Sequence, residues 1–279
     1  MSNEILTEEI LQFGDDARLF GILTLPSLPL HQTQKLPVFV FLSCAVLHRV
    51  GPLRLYVRLA RTLAQMGFSS LRVDLTGRGD SSGRPELRNE KSLMADYKEI
   101  VSILEARLGQ SQLVLGGLCS GADNALMLAQ ADQRVIGLLL MDPTVYPDDG
   151  FRVRQFFRIL TNPARYMNPA NYVLKLKLRS ERLTGPPLVI GNPPTRERLR
   201  AAFQAICERK GRALSVFTSS AERHGYCKQL GQLGRTNYLP GYEQYCTERF
   251  FSTAGHTFDL ELHRRRLLDE VKVWAAGYL

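Results

Sequence analysis

The sequence lacks the features that mark secreted, membrane-spanning and metal-binding chains. Its first nine residues are acidic, with no basic segment before an apolar stretch, so a secretory signal peptide is not predicted. No uninterrupted apolar run approaches membrane-spanning length. The cysteines are odd in number and follow no CxxC or other metal-ligand spacing; they stand at positions 44, 119, 207, 227 and 246. These absences predict a cytoplasmic protein with reduced thiols and no metal site.

Signatures of nucleotide and nucleic-acid binding are also missing. The glycine-rich segment 75–83 lacks the Lys-Ser/Thr pair of a phosphate-binding loop and the full dinucleotide fingerprint. The chain contains no recognised nucleic-acid module, internal repeat or low-complexity tract. Nucleic acid is therefore not expected among the partners.

The net charge of +9 is concentrated in one part of the chain. Residues 151–212 contain 14 lysines and arginines against three glutamates, so the remainder carries a slight negative excess. Two interpretations explain this positive excess equally well: a solvated helical face rich in arginine, or a surface patch that binds an anionic partner. That partner would be a phosphopantetheine carrier protein, a coenzyme A thioester or an anionic lipid surface, which leaves peripheral membrane contact open.

Short apolar segments alternate with helical patterns along most of the chain. The first two segments flank the turn signal at 14–16 as a hairpin, and the run 38–42 is apolar throughout, as in a central parallel strand. Further strands are predicted at 70–74, 112–116, 135–141, 213–217 and 249–251, and helices at 54–65, 93–108, 120–130, 196–208 and 260–274. This alternation predicts a doubly wound, mostly parallel α/β sheet.

The alternation breaks over residues 144–205. This segment is basic and rich in aromatic residues and prolines, with helical stretches, and it follows the sixth strand. We therefore expect a helical cap inserted into a core formed by residues 1–143 and 206–279. Such a cap controls substrate access and excludes water.

The segment 117–121, Gly-Leu-Cys-Ser-Gly, follows an apolar strand and precedes an amphipathic helix. A nucleophile on a sharp strand-to-helix turn takes strained backbone angles, so the residues two positions to either side must be small. Gly117 and Gly121 meet this requirement when Cys119 is the nucleophile, whereas a turn centred on Ser120 would place leucine at a small position. The motif predicts the nucleophile elbow of an α/β-hydrolase; a buried structural cysteine is the alternative.

An activated thiol needs a base and a third group that orients the base. In α/β-hydrolases the order along the chain is nucleophile, acid, histidine. His256, in a loop of small residues before the closing helix, is the predicted base, whereas His263 fits a surface position of that helix. Glu222 after the seventh strand is the leading acid and Asp142 after the sixth is the alternative; each also fits a structural role.

Backbone N–H groups preset around the developing charge would stabilise an oxyanion. The predicted donors are Ser120, at the start of the helix after the nucleophile, and Ala45, in the loop after the third strand. His48 and Arg49 follow in the same loop. They are candidates for contact with a polar or anionic substrate group, or they brace the loop.

Segments 48–61, 67–68, 71–74 and 77–81 resemble bacterial α/β-hydrolases of the exosortase-associated kind, found with exopolysaccharide or secondary-metabolite gene sets. The resemblance covers residues 1–145 and continues in Ser-Ser-Ala-Glu at 219–222 and Gly-His-Thr-Phe at 255–258. It implies a hydrolase fold, a Cys-His-acid triad and no cofactor. The chain departs from the family in having Ala45 where glycine is common and Glu222 where aspartate is usual.

The expected activity is hydrolysis of ester or thioester bonds through an acyl-enzyme on Cys119. Thiolates attack activated esters and thioesters readily, whereas amide cleavage is disfavoured because the thiolate is the better leaving group. The same triad suits an acyltransferase or cyclase of a biosynthetic pathway. A catalytically inactive hydrolase fold kept for binding is the second alternative. The sequence sets neither the acyl acceptor nor the oligomeric state.

Overall fold

The structure is a computed structural model. It describes residues 6–27, 36–45, 47–83, 90–109, 112–146, 193–223 and 241–279, together with positions 150, 153, 156, 157 and 160. The side chains of residues 222 and 223 lie outside this description, and so do Cys227 and most of the segment 151–192. The predicted cap at 144–205 therefore falls largely outside the described residues.

The described residues form one sheet in the order β1-β2-β4-β3-β5-β6-β7-β8. The strands are β1 (Thr7–Phe13), β2 (Leu19–Leu25), β3 (Val38–Leu42), β4 (Ser70–Asp74), β5 (Leu113–Leu118), β6 (Val135–Met141), β7 (Arg212–Thr218) and β8 (Cys246–Phe251). The β1–β2 hairpin pairs antiparallel with the edge of β4, and all pairs from β4 to β8 are parallel. The predicted mostly parallel sheet is confirmed.

Helices cover both faces of this sheet, because a parallel strand must return to the same edge through a crossover. They are α1 (Leu55–Gln65), α2 (Glu90–Leu108), α3 (Ser120–Ala131), α4 (Arg196–Glu208), α5 (Ser219–Arg223) and α6 (Glu261–Ala275). Buried side chains of α1 and α6 form a core on one face, and those of α2, α3 and α4 form a core on the other. Strands such as β3 and β4 are buried along their whole length, since both their faces are covered.

Helix α4 crosses the predicted boundary between cap and core at 205/206. Its buried residues, Leu199, Ala202, Phe203 and Ile206, pack into the core beneath α2 and α3. The helix begins at an N-cap whose Thr195 hydroxyl accepts the N–H of Arg198. Because α4 lies between β6 and β7 along the chain and packs on the sheet, residues 196–205 belong with the core and not with the predicted cap.

Among the described residues, no helix combines the length and apolar character needed to cross a membrane.

Candidate functional site

The candidate residues collect where the parallel strands end. Cys119 follows β5, Asp142 follows β6, Ala45 lies in the loop after β3, and His256 lies in the loop after β8. The carboxyl ends of parallel strands share one edge of a sheet, which is where open α/β sheets place their sites. The fold therefore brings together residues that are far apart in sequence.

The elbow has the strained geometry that a nucleophile turn requires. Cys119 has φ 54° and ψ −122° at the N-cap of α3, a conformation that costs a non-glycine residue about 1–3 kcal/mol. A Cβ on Gly117 would lie 2.5 Å from the carbonyl carbon of Gly121, and a Cβ on Gly121 would lie 2.6 Å from the oxygen of Leu42. Both glycines are therefore sterically required, and they stand two residues before and two residues after Cys119, as a turn centred on Cys119 predicts.

His256 connects the elbow to a carboxylate. Its Nδ1 lies 2.8 Å from Oδ2 of Asp142, and the Cys119 side chain is close enough to the imidazole to act on its pKa. The carboxylate and then the Cys119 contact raise the pKa of His256 from 6.5 to about 10. The His256 side chain is 41% exposed, so the site is open to solvent on the side of the base. The arrangement favours an imidazolium next to the sulfur.

Asp142 is held firmly from the neighbouring strand. Its Oδ1 accepts the N–H of Thr218 at 2.6 Å, and its Oδ2 accepts the Thr218 hydroxyl in addition to the His256 contact. The Asp142 N–H donates to the oxygen of Val216 at 2.8 Å, while φ 43° turns the residue out of the strand. With only 7% exposure, this carboxylate has fixed partners and a fixed orientation.

The partner of His256 is therefore Asp142, which the sequence ranked second. Glu222, the leading candidate from the sequence, lies in the short helix α5, and its side chain falls outside the described residues. Strand β6 is the immediate neighbour of β5, so a residue that turns sharply at the end of β6 lies beside the elbow. Thr218 at the end of β7 completes the carboxylate site instead.

The loop that carries His256 is tied at both ends. Ser219 donates from its N–H and its hydroxyl to the oxygen of Ala254, at 3.1 and 2.8 Å, and a turn closes from Gly255 to Phe258. The Nε2 of His263 lies 3.0 Å from the hydroxyl of Thr253. His263 is only 6% exposed, so the surface position predicted for it is wrong. It packs beneath the loop because α6 turns this face toward the sheet.

The two residues whose backbone N–H groups were predicted to bind the oxyanion contact each other. The N–H of Ala45 donates to Oγ of Ser120 at 2.8 Å, and Ala45 has φ 42°. The first turn of α3 is seated against the end of β3, which brings the loop at 43–45 to the elbow. In this arrangement the Ala45 N–H is occupied by a side chain rather than pointing into an open pocket.

Arg49 braces the loop after β3. Its Nη1 lies 2.5 Å from the buried Asp74 carboxylate and 2.6 Å from Asp80, and its guanidinium stacks over the ring of Phe20 at 4.2 Å. The guanidinium is therefore engaged by the protein itself, which matches the structural alternative. His48 is exposed, and its carbonyl accepts the N–H of Gly51 in a turn.

Tyr56 and Cys44 are two buried residues beneath the elbow that sequence reasoning missed. The Tyr56 hydroxyl accepts the N–H of Leu118 at 2.7 Å and donates to the oxygen of Leu42 at 3.3 Å, joining β3 to β5 below the nucleophile. Burial raises the pKa of Cys44 to about 11, and the nearby sulfur of Cys119 acts in the same direction. The position of a tyrosine on the buried face of α1 is the sequence signal that could have indicated this role.

Comparison with known proteins places the chain in a family. The model of the family described as serine aminopeptidase, S33, matches residues 43–203, more than half of the chain. The match contains the loop after β3, the elbow and Asp142. A search of the curated proteins finds no match.

Solved structures share the fold over nearly the whole length. An alpha-beta serine hydrolase homologue from Coxiella burnetii is 14% identical, with 99% of this chain and 98% of that chain covered and a TM-score of 0.54. Est1E from Butyrivibrio proteoclasticus is 15% identical, with 97% and 98% covered and a TM-score of 0.56. An esterase from Pyrococcus furiosus is 14% identical, with 99% and 91% covered and a TM-score of 0.58. The predicted α/β-hydrolase fold is confirmed, and the chain belongs to the serine aminopeptidase S33 family of that fold.

Proposed function

We propose that this protein hydrolyses ester or thioester bonds through a triad of Cys119, His256 and Asp142. The observation that carries the proposal is His256, which lies between the Asp142 carboxylate on one side and the Cys119 thiol at the strained elbow on the other. A base that is held by a fixed carboxylate and lies beside a nucleophile is the arrangement that covalent catalysis requires.

Acylation begins with proton transfer from the Cys119 thiol to His256. The raised pKa of His256 favours this transfer, since Asp142 stabilises the resulting imidazolium through Nδ1. The thiolate attacks the carbonyl carbon, and the carbonyl electron pair moves onto oxygen to form an oxyanion. Collapse expels the alcohol or thiol, which takes the proton from His256, and leaves an acyl thioester on Cys119.

Water completes the reaction in hydrolysis. His256 accepts a proton from the water as it attacks the acyl-enzyme, and the carboxylic acid departs as the Cys119 thiolate is restored. The half-exposed imidazole gives water access to this step. Transfer to an alcohol or amine would follow the same course with another acceptor, so product analysis in the presence of acceptors separates the two reactions.

A thiol nucleophile restricts the substrate class. When a thiolate adds to an amide, the tetrahedral intermediate expels the thiolate more readily than the amine, so the amide is re-formed. Esters with good leaving groups and thioesters have no such disadvantage. We therefore propose an acyl ester or thioester as substrate, although the family's description names an aminopeptidase.

The acyl donor that we favour is anionic, carried on coenzyme A or on a carrier protein. The support is the basic excess of residues 151–212. Some of these cations are engaged by the protein: Arg198 pairs with Glu90 at 2.9 Å, and Arg209 donates to the oxygens of Ala129 and Val135. The link to exosortase-associated hydrolases stays a prediction from the sequence resemblance.

The test is a substrate panel read by product analysis and intact mass. It contains aryl esters, short and medium acyl thioesters of coenzyme A and of plain pantetheine, and aminoacyl anilides, each with wild type and Cys119→Ala. We expect turnover and a transient acyl adduct with esters or thioesters, both lost in Cys119→Ala. Turnover of the anilides alone, or equal turnover by Cys119→Ala, would contradict the proposal. If wild type shows neither turnover nor an adduct, the alternative of a catalytically inactive hydrolase fold kept for binding is favoured.

A further inference from the structure

The side chain of Ser120 fills the place beside Ala45 where an oxyanion would be expected to bind. Its Oγ lies 2.8 Å from the Ala45 nitrogen and accepts that N–H. Ser120 is 3% exposed and stands directly after Cys119, as the first residue of α3. One of the two backbone donors expected of an oxyanion site is therefore already used.

The hydroxyl keeps one donor of its own. A serine hydroxyl has one hydrogen to donate and two lone pairs that accept, and the Ala45 N–H uses one of these lone pairs. Within the described parts of the chain, no acceptor is found for the hydroxyl hydrogen. A buried donor at the reaction centre without an acceptor of its own is suited to a charge that appears only during the reaction.

The position of this hydroxyl is fixed by its surroundings. Gly121 packs so closely on the end of β3 that a Cβ there would lie 2.6 Å from the Leu42 oxygen, which holds the first turn of α3 against the loop. Ala45 is held at φ 42° on the other side of the contact. The donor is thus set in place before substrate binds, as electrostatic stabilisation of a transition state requires.

We propose that the Ser120 hydroxyl is a catalytic oxyanion donor: fixed by the Ala45 N–H, it donates its own hydrogen to the oxyanion formed during acyl transfer to Cys119. The Ala45 N–H donates to the Ser120 hydroxyl, and the hydroxyl donates to the oxyanion. These two consecutive hydrogen bonds strengthen each other, because each one polarises the hydroxyl that they share. No bond to Ser120 forms or breaks. The carbonyl oxygen receives the hydrogen bond while the carbon bonds to the Cys119 sulfur. This role rests on the proposed function.

Two reactions of the same thiol test the proposal. Alkylation by iodoacetamide displaces iodide at a saturated carbon and forms no oxyanion, whereas acylation by p-nitrophenyl acetate does form one. Both rates are measured in wild type, Ser120→Ala and Ser120→Thr. We expect Ser120→Ala to acylate about 100-fold more slowly while it alkylates at the wild-type rate. Ser120→Thr, which keeps the hydroxyl, should recover most of the acylation rate.

Three results would overturn the assignment. Acylation by Ser120→Ala at or above the wild-type rate would mean that the hydroxyl only blocks the Ala45 N–H. An equal loss of acylation and alkylation in Ser120→Ala would mean that Ser120 merely supports the elbow. A wild-type Cys119 that alkylates slowly and does not acylate would overturn the proposed function together with this role, and wild type alone reveals that case.

Discussion

Replacing Asp142 by Asn tests which carboxylate orients the base. In wild type, Asp142 accepts the Nδ1 hydrogen of His256 at 2.8 Å and stabilises the imidazolium. Asparagine keeps an oxygen that can accept the Thr218 N–H, but it places an NH₂ group or a neutral oxygen against Nδ1. The imidazolium then loses its counter-charge, and the tautomer that leaves Nε2 free to take the thiol proton is no longer enforced.

The size of the effect follows from this contact. A hydrogen bond to a charged group contributes about 1.5–3 kcal/mol, and each 1.36 kcal/mol is about a tenfold change in rate. The Asp142 end is buried and the His256 end is 41% exposed, so solvent screening reduces but does not remove this energy. We expect the second-order rate of Cys119 alkylation and the rate of ester turnover at neutral pH to fall by about 10- to 150-fold.

Asp123 provides a matched control for folding damage. It is also a buried aspartate whose carboxylate accepts the N–H and the hydroxyl of one threonine, Thr144, at 2.8 and 2.6 Å, but no histidine contact is recorded for it among the described residues. Burial raises the pKa of Asp123, so we expect the neutral Asp123→Asn to fold. Circular dichroism and urea unfolding check both variants.

The same assay distinguishes the two acids named by the sequence. Asp123→Asn and Glu222→Gln should both keep rates close to wild type. Alkylation of the other cysteines should be slow, because burial raises the pKa of the thiols of Cys44, Cys207 and Cys246. Cys227 is replaced by Ser in every protein that is compared. A loss in Asp142→Asn no greater than in Asp123→Asn, or a large loss in Glu222→Gln alone, would show that Asp142 does not orient His256.

Three further predictions concern the elbow and the base. Gly117→Ala places a Cβ 2.5 Å from the Gly121 backbone; we expect urea unfolding to show a loss of about 2–3 kcal/mol, and unchanged stability would contradict this packing. Tyr56→Phe leaves the buried N–H of Leu118 without its 2.7 Å acceptor, and should cost about 1–3 kcal/mol in the same measurement, with a wild-type value counting against the contact. Because the folded-state pKa of His256 is raised from 6.5 to about 10, its stabilising contribution is complete below pH 6.5 and is lost as pH rises through 10. The stability advantage of wild type over His256→Gln should therefore shrink by about 1 kcal/mol between pH 6 and pH 10 after allowance for exposure; a constant or growing difference would contradict the charge pairing.

The centre of the sheet could be predicted from sequence because strands such as β3, β5 and β6 are buried on both faces and their sequences are almost continuously apolar. Strands β3, β4 and β6 begin and end at the predicted residues, and β8 begins three residues before the predicted segment 249–251. The proximity of Cys119 and His256 could also be predicted from chain order. Each residue follows the carboxyl end of a parallel strand, and these ends lie at the same edge of the sheet.

The features that could not be predicted from the sequence depend on tertiary contacts. Two carboxylates follow adjacent strands, and the positive φ of Asp142 together with Thr218 directs Asp142 to the histidine. No local pattern encodes that contact. His263 sits among charged residues along the chain, yet its face of α6 packs under the Thr253 loop. Arg49 resembled a substrate contact because its partners are distant in sequence: Asp74 ends β4 and Asp80 lies in the loop after that strand.

The most direct test of the Cys119 acyl-enzyme is to locate the acyl group after a single turnover. Wild-type protein is mixed with p-nitrophenyl acetate, quenched in acid within the burst phase, digested and sequenced by fragmentation mass spectrometry across residues 117–121. We expect an acetyl group on the Cys119 sulfur that neutral hydroxylamine removes and that His256→Ala fails to accumulate. An acetyl group on the neighbouring Ser120 oxygen, or adduct formation at the same rate without His256, would contradict it.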